Sequence, residues 1–197
     1  MVLDTQQELF EHELRDVYDA EKKLDRALDT MAKKVSDQAL SDSFREHRRV
    51  TQAQAKRLEQ IFKLLDRKPR REPCRGINGL INEFTEFTKK EEPSDEILNG
   101  FATGAALKIE QYEIVAYQSL IRLATQLGLT EAVGLLTSNL TEEQETAQTL
   151  ELMADELAGP LPASSQRPDE PVVVMEAMDD EVILPESEEV TRSQPSL

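Results

Sequence analysis

The sequence predicts an all-α protein: an antiparallel four-helix bundle, with a short extra helix between the second and third long helices and an acidic C-terminal tail. Three observations carry this. Leu, Ala, Glu, Gln and Lys are plentiful, glycine is held to seven of 197 residues and Trp is absent, a composition that favours helix over sheet. Apolar residues recur every three or four positions through four long stretches. Beyond Gly159-Pro160 that pattern stops. Six of the nine prolines fall in the last 39 residues, where nine acidic residues face two basic ones. The expected organisation is a bundle over residues 1–158 and a Pro-rich tail over 159–197, too charged to build a core and therefore expected to be disordered.

Each element has its own signals. Thr5 followed by Glu8 fits a capping box. Phe10, Leu14, Val17, Leu24, Leu28, Met31 and Val35 then trace one face of a first helix over roughly residues 5–35. The one skipped position on that face is Glu21. Ser36-Asp37 ends this helix and caps a second that runs to about Asp66. Its inner line is Leu40, Phe44, His47, Thr51, Gln54, Leu58, Ile61 and Leu65, apolar at both ends and polar in the middle. The stretch 67–75, RKPRREPCR, holds five basic residues and two prolines and is expected to be a loop. A short helix is expected from Asn78 to about Lys90, with Leu80, Ile81, Phe84 and Phe87 inward. Pro93-Ser94 opens the third long helix, which ends at Gly128. Within it, LKIEQYEIVAYQSLI at 107–121 is apolar over so much of its circumference that it must be buried, yet it carries Glu110 and Glu113. Thr130 is expected to cap the fourth long helix, whose line is Leu129, Val133, Leu136, Leu140, Glu143, Ala147, Leu150, Ala154 and Leu157.

The charge excludes several functions. A formal net charge of −16 opposes nucleic acid and anionic membranes. A single cysteine, Cys74, excludes an intrachain disulfide and a Cys-rich zinc site. No apolar run is long enough to span a bilayer, and the polar N-terminus is unlike a signal peptide. The expected location is cytoplasmic.

Isolated buried carboxylates are costly, so the polar positions of the four lines need a common explanation. Counting along the hairpins at a rise of about 1.5 Å per residue places Glu21 within about one turn of His47, and Glu113 nearly level with Glu143. Each long helix then brings a polar group to its mid-section. Inward carboxylates and an imidazole from four helices are the ligand set of ferritin-like di-iron and di-manganese proteins, and hard oxygen donors with one nitrogen suit iron, manganese or zinc. The candidate metal ligands are Glu21, His47, Glu110, Glu113 and Glu143, and the candidate cofactor is iron or manganese. A glutamate on such a line can instead lean to the edge and stay wet, and His47 can be a hydrogen-bonded core residue. Tyr112 and Tyr117 read as packing groups, and Cys74 as structural.

The blocks LFEHELRDVYDAEKKLDRAL, FREHRRVTQAQAKRLEQIFKLLDRKP, KIEQYEIVAYQSL and LTEEQETAQTLELMA, with Cys74 and the Gly79–Ile81 GLI between them, together resemble the YciE/YciF family of ferritin-like bacterial stress proteins over roughly residues 7–158. The resemblance implies a ferritin-like bundle, a homodimer and a metal site between the helices. It matches Glu21, His47, Glu110, Glu113 and Glu143 to acidic or imidazole positions of the family pattern. Three positions depart from that pattern: Val50 where a glutamate is expected, Gln111 where a histidine is expected, and Ala147 where an aspartate is expected. Fewer ligands imply a weaker or mononuclear site, or none. The alternative expectation is a non-catalytic bundle acting as an adaptor, its acidic tail recruiting a protein partner and the basic loop serving as the tail's resting dock.

Overall fold

A computed structural model describes residues 3–159, and the tail 160–197 lies outside the described residues. Five helices follow in order: α1, Gln6–Lys34; α2, Gln38–Leu64; α3, Arg75–Lys90; α4, Asp95–Gln126; and α5, Thr130–Ala158. There is no strand among the described residues.

The local signals act as their chemistry requires. Thr5 and Glu8 form a complete capping box at α1, and the Asp37 side chain accepts from the Leu40 amide at the start of α2. Asn99 of α4 holds the turn between them, its Oδ1 accepting from the Ser36 and Asp37 amides at 3.0 and 3.3 Å. Gly128 ends α4 with φ +71°. There the Leu129 amide donates to Ala124 O and the Gly128 amide to Thr125 O, the paired bonds of a Schellman stop.

Two boundaries differ from expectation. Thr130 is the first helical residue of α5 and Leu129 takes the cap position, where an apolar side chain can make no cap bond. α3 starts at Arg75, three residues early, and buries Ile77 as well as Phe84. Cys74 is fully buried and leads directly into the helix.

The core is two apolar clusters with a polar layer between them. One contains Leu24, Leu28, Met31, Leu40, Phe44, Ile77, Phe84, Ile109 and Leu150. The other contains Phe10, Leu14, Val17, Leu58, Ile61, Tyr117, Leu120 and Leu136. The order in which each helix meets the clusters sets its direction. α1 and α5 run from the second to the first, and α2 and α4 from the first to the second. α1 packs on α2 and α4, and α5 on α4 and α2, so every neighbouring pair is antiparallel. α2 and α4 are parallel, and the long connection between them, residues 65–94, carries α3 across to lie on α4 and α1. This is a four-helix bundle with one long crossover.

The crossover is fastened by charge. Asp19, 4 % exposed, accepts from the Cys74 amide at 2.8 Å and pairs with Lys23 at 2.9 Å and Arg71 at 2.7 Å. The basic loop is thus partly committed to α1, with Arg67 also reaching Glu11 at 3.3 Å.

Candidate metal centre

The polar layer is built from helical spacing. On α2, His47, Thr51 and Gln54 succeed one another at steps of four and three, and all are buried. On α4, Glu110 and Glu113 lie one turn apart, and Tyr117 follows at the next turn. On α5 the inner line passes through Asn139 and Glu143. The expected line placed Leu140 there, but Leu140 is only half-buried and Asn139 is fully buried. α1 contributes Glu21, 1 % exposed.

Four of these side chains converge. One ligand atom from each of His47, Glu110, Glu113 and Glu143 lies within 4.8 Å of the others. His47 Nε2 stands 3.5 Å from Glu110 Oε1, and Gln54 Nε2 donates to Glu143 Oε1 at 2.5 Å. Glu21 stands outside that group of four. One of its oxygens accepts from the Tyr117 hydroxyl, which in turn accepts from Asn139 Nδ2 at 2.9 Å. Asn139 Oδ1 takes a bond from Arg57, itself paired with Glu142 at 2.5 Å. A continuous hydrogen-bonded chain therefore runs from a half-buried arginine to the Glu21 carboxyl.

The His47 tautomer follows from its neighbour. The Thr146 hydroxyl donates its one proton to Glu142 O, so at 3.1 Å from His47 Nδ1 it acts as the acceptor. Nδ1 carries the hydrogen, and the Nε2 lone pair faces the carboxylates, the orientation a metal-binding imidazole needs. Burial lowers the His47 pKa to about 4, so the ring is neutral at pH 7.

The carboxylates are poorly compensated. Burial, followed by the Glu143 charge, raises Glu21, Glu110 and Glu113 well above the ordinary range. Glu143 is pushed up to about 7, chiefly by burial. None of the five acidic and imidazole candidates forms an ion pair with Lys or Arg among the described residues. Glu21 Oε2, His47 Nε2, Glu110 Oε2, Glu113 Oε1 and Glu143 Oε2 are buried without a hydrogen-bond partner among the described residues, as are Thr51 Oγ1 and Gln54 Oε1. Buried polar atoms are rarely left unsatisfied. Orphaned acceptors crowded around one point fit a cation, and this donor set of three carboxylates and one imidazole suits a divalent first-row metal.

The three departures separate in space. Gln111 is exposed on the outer surface of α4, so a histidine there would not face the layer and its loss costs the centre nothing. Ala147 is buried one turn beyond Glu143 and offers no donor. Val50 is half-buried, on the α2–α5 side. Tyr117, expected only to pack, is also the hydrogen-bond donor to Glu21. Tyr117 lies four residues after Glu113 and Asn139 four before Glu143, so the one-turn rule that grouped the acids would have found both.

Comparison with known proteins places these features in a family. A family described as a domain of unknown function, DUF892, matches residues 5–159. Protein YciF of Escherichia coli is 39% identical over 150 residues, which cover 74% of this chain and 88% of YciF. The crystal structure of the E. coli stress protein YciF superposes with a TM-score of 0.76 at 35% identity, covering 81% of this chain and 100% of that one. YcfI from Rhodopseudomonas palustris superposes with a TM-score of 0.73 at 37% identity, covering 75% and 94%.

Proposed function

The chain belongs to the DUF892 family, and from that premise we propose that it is a ferritin-like, metal-binding stress-response protein that handles iron or peroxide. His47, Glu110, Glu113 and Glu143 hold one divalent ion, iron or manganese. Glu21, with one oxygen still free, is the carboxylate available to a second, weaker ion. The observation that carries this reading is the convergence of four ligand atoms within 4.8 Å that are otherwise short of partners. Bound iron or manganese would supply redox chemistry towards peroxide. The chain's own residues supply the rest: Thr146 orients His47, Gln54 orients Glu143, and Tyr117 with Asn139 holds Glu21. The stress role rests on the likeness to YciF.

The test is metal analysis of protein purified from iron- or manganese-supplemented cells. The expected result is close to one equivalent, falling below about a tenth in Glu110→Ala, since removing a ligand from a site of this size costs most of the affinity. Sub-stoichiometric metal that is indifferent to Glu110→Ala would defeat the reading. Ala147 favours a second reading, because it removes a donor from the inner face of α5: a non-catalytic bundle or adaptor with a lost centre. That reading requires a melting temperature unmoved by chelator.

We also assign a homodimer in the cytoplasm. Its support is the outer face of α4, where Val115 is 59% exposed in an apolar depression with Leu80, Tyr112 and Ala116. The adaptor role of the acidic tail concerns residues outside those described, and an interaction lost on deleting 160–197 would be its test.

A further inference from the structure

Two openings in the bundle surface reach the polar layer, and they differ in charge. The one between α2 and α5 has a volume of about 490 Å³, with His47 and Thr146 in its wall. Asp42, Glu46, Glu142 and Glu145 surround them, and among the described residues the wall contains no Lys or Arg. The one between α1 and α2, about 230 Å³, reaches Glu21 and Thr51 but is flanked by Lys22 and Lys56 as well as Asp25 and Glu59. A cleft walled by one sign of charge over a low-dielectric interior concentrates ions of the opposite sign and speeds their arrival. The mixed opening has no such bias.

The α2–α5 groove also ends on the imidazole whose far side faces the carboxylates. His47 is 3% exposed and its Nε2 has no hydrogen-bond partner. The ring therefore stands between the groove and the carboxylates, with its lone pair on the inner side. Asp42, Glu46 and Glu142 are engaged by Arg45, Arg49 and Arg57, which offsets much of their charge, and Arg49 with Lys56 lines an adjoining depression that shares Val50 and Glu142 with the groove. Glu145 is exposed and forms no ion pair among the described residues, leaving it the most available capture group.

We propose that the α2–α5 groove is the route by which a divalent cation reaches the centre, captured at the mouth by Glu145 and passing the His47 ring to meet Nε2 on its inner side. This rests on the metal-binding reading above. The probe is Co²⁺ uptake by the full-length, chelator-stripped protein, followed by stopped-flow absorbance at low and high ionic strength. At about 10 mM ionic strength, where charges act over roughly 30 Å, Glu145→Lys should slow uptake about three- to tenfold. The final stoichiometry should stay at the wild-type value. At about 0.5 M salt the difference should largely vanish. Thr149→Trp, which plugs the same groove sterically, should slow uptake at both ionic strengths. Lys22→Glu at the α1–α2 opening should leave the rate unchanged. Uptake by Glu145→Lys at the wild-type rate in low salt, or acceleration by Lys22→Glu, overturns the route and leaves the metal centre standing. No Co²⁺ uptake by the wild type overturns both.

Discussion

Raising the pH of the metal-free protein should destabilise it, and metal should reverse that trend. Glu143 sets the scale of the effect. Its carboxyl is pushed up from 4.5 to about 7. A carboxyl raised in the folded state contributes stability that is full below its unfolded pKa and is lost as the pH rises through its folded one. At about 1.36 kcal/mol per unit, that shift corresponds to about 3 kcal/mol, of which about 2 kcal/mol is lost above pH ~5.5. His47 works in the opposite direction. Lowered from 6.5 to about 4, it contributes stability that is full above its unfolded value and lost as the pH falls through its folded one. Between pH ~5.5 and ~8 it returns about 1 to 1.5 kcal/mol. Glu21, Glu110 and Glu113 are all raised and add to the side of Glu143. The net loss from pH ~5.5 to ~8 is then at least about 0.5 kcal/mol, or roughly 1–2 °C in Tm for a domain of this size. Cation binding requires ionised carboxylates and strengthens with pH. A cation at about a hundred times its Kd adds about 2.7 kcal/mol, so the loaded protein should melt higher at pH ~8 than the stripped one by roughly 5–10 °C. The assay is thermal unfolding by circular dichroism, wild type against Glu143→Gln, with and without Co²⁺. Subtracting the variant removes the contribution of the surface charge. Equal pH slopes for wild type and variant, or a cation effect larger at low pH than at high, would refute the reasoning.

Other perturbations read different parts of the molecule. Tyr117→Phe removes the donor to Glu21 and the acceptor of Asn139 in a fully buried layer, and should cost about 2–4 kcal/mol by chemical denaturation; a loss under about 0.5 kcal/mol would mean water replaces the hydroxyl. Asp19→Ala unpairs Lys23, Arg71 and the Cys74 amide. It should cost about 3 kcal/mol and open the crossover to trypsin at Arg70 and Arg71, seen as faster cleavage in limited proteolysis. Gly76→Ala places a Cβ against the Tyr112 ring and should cost about 1–3 kcal/mol, read as a lower denaturation midpoint. Val115→Glu, on the exposed face of α4, should give a monomer by light scattering if that face joins two copies, without lowering helix content.

The sequence by itself determined the helices, most of their limits and which face of each turns inward. Those follow from local chemistry: a carboxylate or hydroxyl that caps an amide, a glycine that accepts positive φ, and apolar residues repeating every three or four positions. It also exposed the polar interruptions at Glu21, His47, Glu110, Glu113 and Glu143, because a charge in an apolar line is visible without coordinates. Which interruptions meet was decided by tertiary structure alone. A small rotation of a helix exchanges Leu140 for Asn139 on the inner line, and packing against α2 and α4 fixes that rotation. The same packing drew Glu110, Glu113 and Glu143 around His47, left Glu21 to Tyr117, and turned Gln111 outward. The parallel course of α2 and α4 came from the long crossover of residues 65–94, which Asp19 fastens to α1. Periodicity specifies a face; only contacts between helices far apart in the chain specify height, rotation and the partner each buried polar atom finds.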